Sequence, residues 1–466
     1  MLIKNRDSLL SRGSRDGRRV VLDILEAGLA APDPYRNVKK IVRLENNKLS
    51  VGHPDLSDPP GIEPVEYDLN DVKNIYIIGG GKAAQRMAKS LEDILGDRIS
   101  GGHINIKTGE PVQVERIGVT FASHPIPDEN SVNGASRIME IMEKAGEGDL
   151  VFWCQSGGAT SLLALPAPGI TLEDLQEVYR ILYFGCGASM PESNAVRNLI
   201  AILNTKHEKY VFGASLFHLL TTERPLNLRA HLFDRPDHLN AYQQAIRVLK
   251  KYDCWNTVPE SVRTFLNKTD SKYLPATPEQ LKQRPYYKFR VMGPEYLIDA
   301  ASAKAEEMGL NTAVLATSLN DVEARPTGEI LADIAQEAEV IGRPLKPPCV
   351  FLCGGEVVVP IGEETGFGGR NQELVLAASQ RIAGSSNIVI GSVDSDGTDG
   401  PTSVAGGIVD GQTVERINEA GFDLTEELKR HNTNPVLEAI GDTITTGNTG
   451  SNVRDLRVVY IGKDQS

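Results

Sequence analysis

No stretch of this chain holds the run of about 18 apolar residues that a membrane-crossing helix needs. The first residues, MLIKNRDSLLSRGSRDGRR, carry charges where a secretory signal needs an apolar centre, so a cytoplasmic protein is expected. Cysteine is scarce. The five residues Cys154, Cys186, Cys254, Cys349 and Cys353 are odd in number, sit mostly in apolar surroundings and lack metal-ligand spacing, which favours free buried thiols over disulfides or zinc. Positive charge is also short: 49 Lys and Arg face 62 Asp and Glu, and a net charge of −13 disfavours a general nucleic-acid surface. A basic residue inside a glycine-rich loop therefore stands out as a local anion site. Repeats and low-complexity tracts are absent, as is a Walker A sequence, which argues against a P-loop ATPase.

What the chain has instead is glycine clustered with charge. Between Cys353 and Gly407 three clusters recur, Gly354–Gly355–Glu356, then Gly368–Gly369–Arg370–Asn371 with Glu373, then Asp394, Asp396 and Asp399, separated by apolar runs. Glycines admit positive φ and close backbone approach, carboxylates can hold a divalent cation, and an arginine can hold an anion. Ordinary turns use the same residue types, but three such clusters at successive strand ends point to a ligand site.

At 466 residues and 40% hydrophobic content the chain is expected to form two or three domains with full cores. Asp16–Ala30 reads as a leading helix. Asn74–Ile78, His103–Lys107, Ile117–Ala122 and Leu150–Cys154 read as strands alternating with helices, which predicts a parallel, doubly wound sheet. Helical stretches follow at Leu172–Cys186 and Ala241–Tyr252. The proline-rich, charged segment Thr269–Arg284 reads as a domain boundary, and strands near Asn311–Ala316, Cys349–Leu352, Val357–Pro360, Ile388–Gly391 and Leu456–Ile461 build a second α/β unit.

Gly79–Ala84 (GGGKAA) fits the dinucleotide fingerprint after a strand and before a helix. A dinucleotide site expects an acidic residue near the end of the second strand, where this chain has Lys107, so an anion site with Lys82 reaching out from a helix N-terminus is the better reading. Ser156–Gly157–Gly158–Ala159–Thr160–Ser161 is not a nucleophile elbow, since Cys154 occupies the first glycine position, and it also suits anion binding. His124, between a strand and two prolines, is structural or catalytic.

Assembled in this order, the motifs GGGKAA, HPIPDEN (124–130), DLVFWCQSGGATSLL (149–163), ESNAVR (192–197), ATSLNDVEARPTG (316–328), CGGEVVV (353–359), GFGGRNQELVLAA (366–378), DSDGTDGPTSVAG (394–406) and TGNTGSNVRDL (446–456) make the chain resemble the MOFRL-type glycerate 2-kinase family, from about residue 70 to the C-terminus. The resemblance implies a Rossmann-like domain over 1–280 and a smaller α/β MOFRL domain over 285–466, with the active site in the cleft between them. It implies ATP- and Mg2+-dependent phosphorylation of a small anionic hydroxy acid, glycerate or a related sugar acid, with neither nucleic acid nor membrane as partner; a homodimer is compatible with it. The family's active lysine corresponds to Lys82, and its cleft arginines to Arg197, Arg325 and Arg370. Gly80, Gly81, Ser156, Gly157, Gly158, Thr160, Ser161, Glu192, Asn194, Gly355, Glu356, Gly369, Asn371, Asp399 and Asn452 are expected at the ligands, and Asp394, Asp396 and Asp399 at the metal or its water shell.

The chain departs from the family over 201–237. Two glycines are gone, and the strand-end acidic residue is replaced by Thr221 or Thr222, with Glu223 next to it. Side chains such as His207 and Lys209 are added there, which predicts an altered acceptor, with D-glycerate a poor one and Glu223 or His218 as candidate bases. Two other functions remain open: an NAD(P)-dependent hydroxypyruvate-type reductase, and a non-catalytic metabolite-binding member of the family.

Overall fold

The computed structural model describes residues 1–222, 240–361 and 366–463. Two compact units emerge, one from Pro34–Thr221 continued by residues 240–291, the other from Met1–Asp33, Thr222 and the chain from Met292 onward.

The first unit opens with a small antiparallel sheet, β1 (Val42–Glu45), β2 (Lys48–Val51) and β3 (Val65–Asp68). Its main sheet holds β4 (Ile75–Gly80), β5 (Gly101–Lys107), β6 (Gly118–Ala122), β7 (Leu150–Gln155), β8 (Ser215–Thr221) and β9 (Tyr286–Met292) in the order β6-β5-β4-β7-β8-β9. The pairings from β6 to β8 are parallel. This is the 3-2-1-4-5-6 order of doubly wound nucleotide-binding sheets, whose ligands sit beyond the carboxyl ends of the strands. Near-continuous burial along β4 and β7 is what parallel strands under helical cover require. Helix Ala84–Leu95 packs on β4, β5 and β7, and helix Glu129–Lys144 on β5 and β6. The latter starts at a capping box in which Asp128 Oδ1 accepts from Ser131 N at 2.9 Å and Ser131 Oγ accepts from Asp128 N at 3.1 Å, so the residues after His124 mark a helix start.

The second unit is built on a mixed sheet of β10 (Asn311–Ala316), β11 (Cys349–Gly355), β12 (Ile388–Asp394), β13 (Gly406–Asp410), β14 (Thr443–Ile444) and β15 (Asp455–Ile461), ordered β10-β11-β15-β12-β13-β14. Only the β10–β11 pairing is parallel. Leu374, Val375, Phe351, Ile390, Leu437 and Val459 belong to the core beneath helices Ala324–Ile341 and Arg370–Arg381.

Some elements differ from the sequence reading. The leading helix, Arg15–Ala30, packs on β12 and β15, which groups it with the C-terminal half. Its Arg18 is fully buried and bonds Asp410 at 2.6 Å and Asp442 at 2.7 and 2.9 Å, and at Gly28 a β-carbon would meet a Leu456 methyl at 2.4 Å. Val357–Pro360 forms only an isolated bridge to Glu323. Thr269–Arg284 leads into β9 and so stays within the first unit. The helix from Leu172 ends at Arg180 and continues as a π-turn, Ile181–Gly185. Among the described residues no helix is long and apolar enough to cross a membrane.

Candidate functional site

Two glycine turns lie against each other where β4 and β7 end. Ser156 N donates to Gly80 O at 3.2 Å, Lys82 N to Gly157 O at 2.9 Å, and Ala83 N to Ser156 Oγ at 2.8 Å. Only glycine fits between them: at Gly81, with φ 128°, a β-carbon would sit 2.3 Å from Ser156 Oγ, and at Gly79 one would sit 2.0 Å from the Cys154 carbonyl. The half-buried Lys82 side chain leaves this junction at the start of helix Ala84–Leu95, where helix-end N–H groups favour anions.

The half-buried His124 imidazole lies against the second turn, 3.2 Å from where a β-carbon on Gly158 would be, and Ser161 Oγ holds its loop through Pro125 O at 2.6 Å. Burial and then the charges of Lys82, Lys107 and Arg197 push His124 down to about 4, so the ring is neutral at neutral pH in a positive neighbourhood. Arg197, on helix Met190–Ile200, is 1% exposed. Its guanidinium lies 4.7 Å from the Tyr179 and Tyr183 ring centroids and donates to the Tyr183 hydroxyl and Asn194 Oδ1, and among the described residues no carboxylate pairs with it.

Other expected ligand residues here are committed to the protein. Thr160 Oγ1 accepts from Asn204 at 3.0 Å and its carbonyl from the Tyr179 hydroxyl at 2.9 Å. Glu192 takes Lys251 Nζ at 2.6 Å and the Tyr252 hydroxyl at 2.7 Å and closes a capping box with Ser189. Burial alone would raise its pKa, but bonds from Lys251, Tyr252 and Ser189 outweigh it and bring Glu192 to about 2.

In the other unit, Gly355, with φ 104°, and Glu356 end β11, and Gly369 precedes Arg370. Arg370 is surrounded by acid: its Nε and NH2 donate to Asp455 at 2.9 and 2.8 Å, NH2 also reaches Asp394, and NH1 lies 3.2 Å from Glu356, which Arg454 also pairs with. Burial and the Asp455 charge hold the Asp394 carboxyl well above the usual range. Burial would raise Asp455 too, but Arg370 and Arg457 outweigh it and lower that group. Arg325 NH2 pairs with Glu373 at 2.7 Å, and His431 Nδ1 lies 3.2 Å from the same carboxylate. Asn452 is half-buried in the loop before β15.

The three aspartates expected at a metal do not converge. Fully buried Asp399 caps helix Arg370–Arg381, receiving Asn371 N and Gln372 N at 3.0 Å each and both amide side chains at 3.1 and 3.0 Å. Asp396 Oδ1 takes Thr398 N and Oγ1 at 2.8 and 2.7 Å, while Asp394 is tied to Arg370 and to Asp396 N. Among the described residues no group of three His, Cys, Asp or Glu is arranged to hold a cation. These donor sets do not fit a protein-held magnesium, which needs carboxylate oxygens free of other partners.

Residues 349–455 match the MOFRL family, and residues 20–204 match a family described as a domain of unknown function, DUF4147. The chain is 34% identical over 450 residues to the glycerate 2-kinase of Pyrococcus horikoshii, covering 96% of this chain and 98% of that one. It superposes on the crystal structure of a glycerate kinase from Thermotoga maritima with a TM-score of 0.77 at 30% identity, covering 95% and 99% of the two chains. The chain belongs to the MOFRL-type glycerate 2-kinase family. It is a kinase by that membership. A protein of Agrobacterium vitis, 32% identical over 390 residues (83% of this chain and 87% of that one), bears hydroxypyruvate reductase as a provisional name.

In the segment after Arg197 several polar side chains are buried. His207, 2% exposed, stacks on Trp153 at 4.3 Å and meets His218 edge-on at 4.5 Å, and His218 Nδ1 shares a hydrogen bond of 2.9 Å with the Tyr286 hydroxyl. Burial pushes His207 down to about 3 and His218 well below its ordinary value. Lys209 Nζ donates to the Lys272 and Leu274 carbonyls at 2.8 Å each. Among the side chains expected to reshape the acceptor site, His207 and His218 pack on rings and Lys209 bonds carbonyls. Thr221 is buried at the end of β8, Thr222 N donates to Met292 O at 2.8 Å, and Glu223 lies outside the described residues.

Sequence reasoning passed over Asp455 and Arg454, although both stand in the TGNTGSNVRDL motif directly before or at the start of β15. Tyr179 and Tyr183 gave no signal, because tyrosines four apart in an apolar helix read as core.

Proposed function

We propose that this chain transfers the terminal phosphoryl group of ATP to a hydroxyl of a small hydroxy acid, glycerate or a related sugar acid. The carrying observation is the gathering of Lys82, Lys107 and Arg197 about neutral His124 against two glycine turns, with Arg197 lacking a carboxylate partner among the described residues. In this reading backbone N–H groups and Lys82 meet phosphoryl oxygens, lowering the cost of charge that develops during transfer, and Arg197 meets the acceptor's carboxylate. Arg325 and Arg370, in the other unit, have their charge already balanced by Glu373, and by Asp455, Asp394 and Glu356. Magnesium would come with the nucleotide, held by its phosphate oxygens. The enzyme is taken as cytoplasmic, without nucleic acid or membrane partner.

The test is ADP release with ATP and magnesium on a panel of D-glycerate, tetronates, pentonates and branched sugar acids, with the product located by phosphorus NMR. If no acid on the panel elicits ADP, the reading falls. A second reading, hydroxypyruvate reduction, rests on the provisional name of the Agrobacterium vitis relative and the Gly79–Ala84 turn. Against it, β5 ends in Lys107 where a dinucleotide ribose needs an acid. NADH oxidation with hydroxypyruvate is its assay.

A further inference from the structure

Arg197 differs from the other arginines expected to act on ligands. Arg325 and Arg370 are each held by carboxylates, whereas Arg197 is held by two aromatic rings, a phenol and an amide. Its Nε, on a side chain 1% exposed, has no hydrogen-bond partner among the described residues. A buried guanidinium needs compensation, and a carboxylate would supply it at the cost of cancelling the charge. Aromatic faces compensate without cancelling, since the ring quadrupole attracts the cation while the net charge stays at one.

The local chain geometry makes this cage possible. Tyr179 and Tyr183 stand four apart and so share a face of the helix. Beyond Arg180 the helix widens into the π-turn Ile181–Gly185, closed by Cys186 N to Ile181 O at 3.0 Å. Wide turns of this kind recur at functional sites. The two rings lie 6.1 Å apart at 58°, both over the guanidinium. The Tyr179 hydroxyl is anchored to Thr160 O, in the second glycine turn.

We propose that Tyr183 is a positioning residue: its ring and hydroxyl, presented by the π-turn, aim the Arg197 guanidinium in place of a carboxylate and leave its charge for the carboxylate of the acceptor acid. This rests on the phosphotransferase reading of the same site.

Three variants test it, Tyr183→Phe, Tyr183→Leu and Arg197→Lys. Tyr183→Phe keeps the ring and loses the hydroxyl, so KM for the acid rises about tenfold, as for a lost bond to a charged group, while KM for ATP and kcat hold. Tyr183→Leu raises KM for the acid further. Calorimetric titration of the enzyme with D-glycerate, without nucleotide, shows the same order of weakening. If Tyr183→Phe binds D-glycerate as the wild type does while Arg197→Lys binds it weakly, this proposal is overturned and the functional reading stands. If all constants and the melting temperature decline together, Tyr183 is only structural and the proposal is likewise overturned. If the wild type neither binds nor phosphorylates any acid, both fall.

Discussion

Ser156 Oγ accepts the Ala83 N–H at 2.8 Å, so a side chain from the turn after β7 holds the start of the helix that follows β4. The serine builds the site, and the neighbouring Lys82 extends from it. The two residues should therefore respond differently to replacement. Lys82→Ala is expected to lower kcat by about 10²–10³-fold with the melting temperature unchanged, as for other groups that stabilise developing charge. Ser156→Ala leaves a buried N–H unpaired and should cost about 1–2 kcal/mol of stability. Steady-state kinetics and thermal melts on both variants separate these roles, and a Lys82→Ala enzyme with near-normal turnover would remove Lys82 from the chemistry.

Gly81→Ala probes the same junction from the backbone. A β-carbon there would lie 2.3 Å from Ser156 Oγ at φ 128°, so the two turns must part. The expected loss is of order 2–3 kcal/mol in stability, accompanied by loss of activity. Gly109, where a β-carbon would meet nothing within 4 Å, is the control for the positive-φ contribution alone.

Arg18 binds Asp410 and Asp442 with all three at 0–1% exposure. Removing the cation strands two buried carboxylates, although Arg416 still reaches both. Arg18→Met should destabilise by about 3–5 kcal/mol, read as a lower urea midpoint. An unchanged midpoint would mean that Arg416 suffices.

Much of the fold is legible because glycine turns break apolar runs at several strand ends, and Gly79–Ala84 and Ser156–Ser161 mark the ends of β4 and β7. Partnership was not legible. Nothing local tells that Arg18 lies opposite Asp410 and Asp442, 392 and 424 residues away, and so the sequence groups the leading helix with the residues that follow it. Nor does Asp399 differ in sequence from a metal ligand, yet four N–H donors from Asn371 and Gln372 occupy it. His207 and Lys209 read as side chains added to the acceptor site, and only the placement of Trp153 and of the Lys272 and Leu274 carbonyls shows the partners that they take instead.

The buried histidine pair predicts acid sensitivity. Burial and then the Lys288 charge, joined for His218 by the neighbouring His207, depress both groups in the folded protein, His207 to about 3. The unfolded chain therefore binds more protons than the folded one between about pH 6.5 and 3, and stability is full above that window and falls with pH through it. His207 alone should cost about 2 kcal/mol between pH 7 and pH 5, and His218 adds to it in the same direction. Urea titrations at the two values, followed by tryptophan emission, measure it. His207→Phe, which can keep the stack on Trp153, should flatten the dependence, and an equally steep one would place the titrating groups elsewhere.

The divergent segment bears on which acid is used. The loss of the family's glycines and strand-end acid suggests a reshaped acceptor site, but the added side chains have partners within the protein: half-buried Lys209 bonds the Lys272 and Leu274 carbonyls, and buried His207 lies between Trp153 and His218. A residue that does not touch the acceptor can favour one bound acid over another only by moving the residues that do. Specificity changes come from pocket contacts, where an unmatched hydrogen bond shifts kcat/KM ratios by about 10⁴. Lys209→Met and His207→Phe should therefore lower the melting temperature while leaving the ratio of kcat/KM for D-glycerate to that for a tetronate within about threefold of wild type, far inside that range. Thr221→Asp restores an acid at the end of β8, and if the missing carboxylate is what distinguishes this chain from its relatives, it is the variant that moves the ratio. Should Lys209→Met change the ratio tenfold with stability intact, the segment faces the acceptor in the working enzyme, and its inward packing belongs to the unliganded protein.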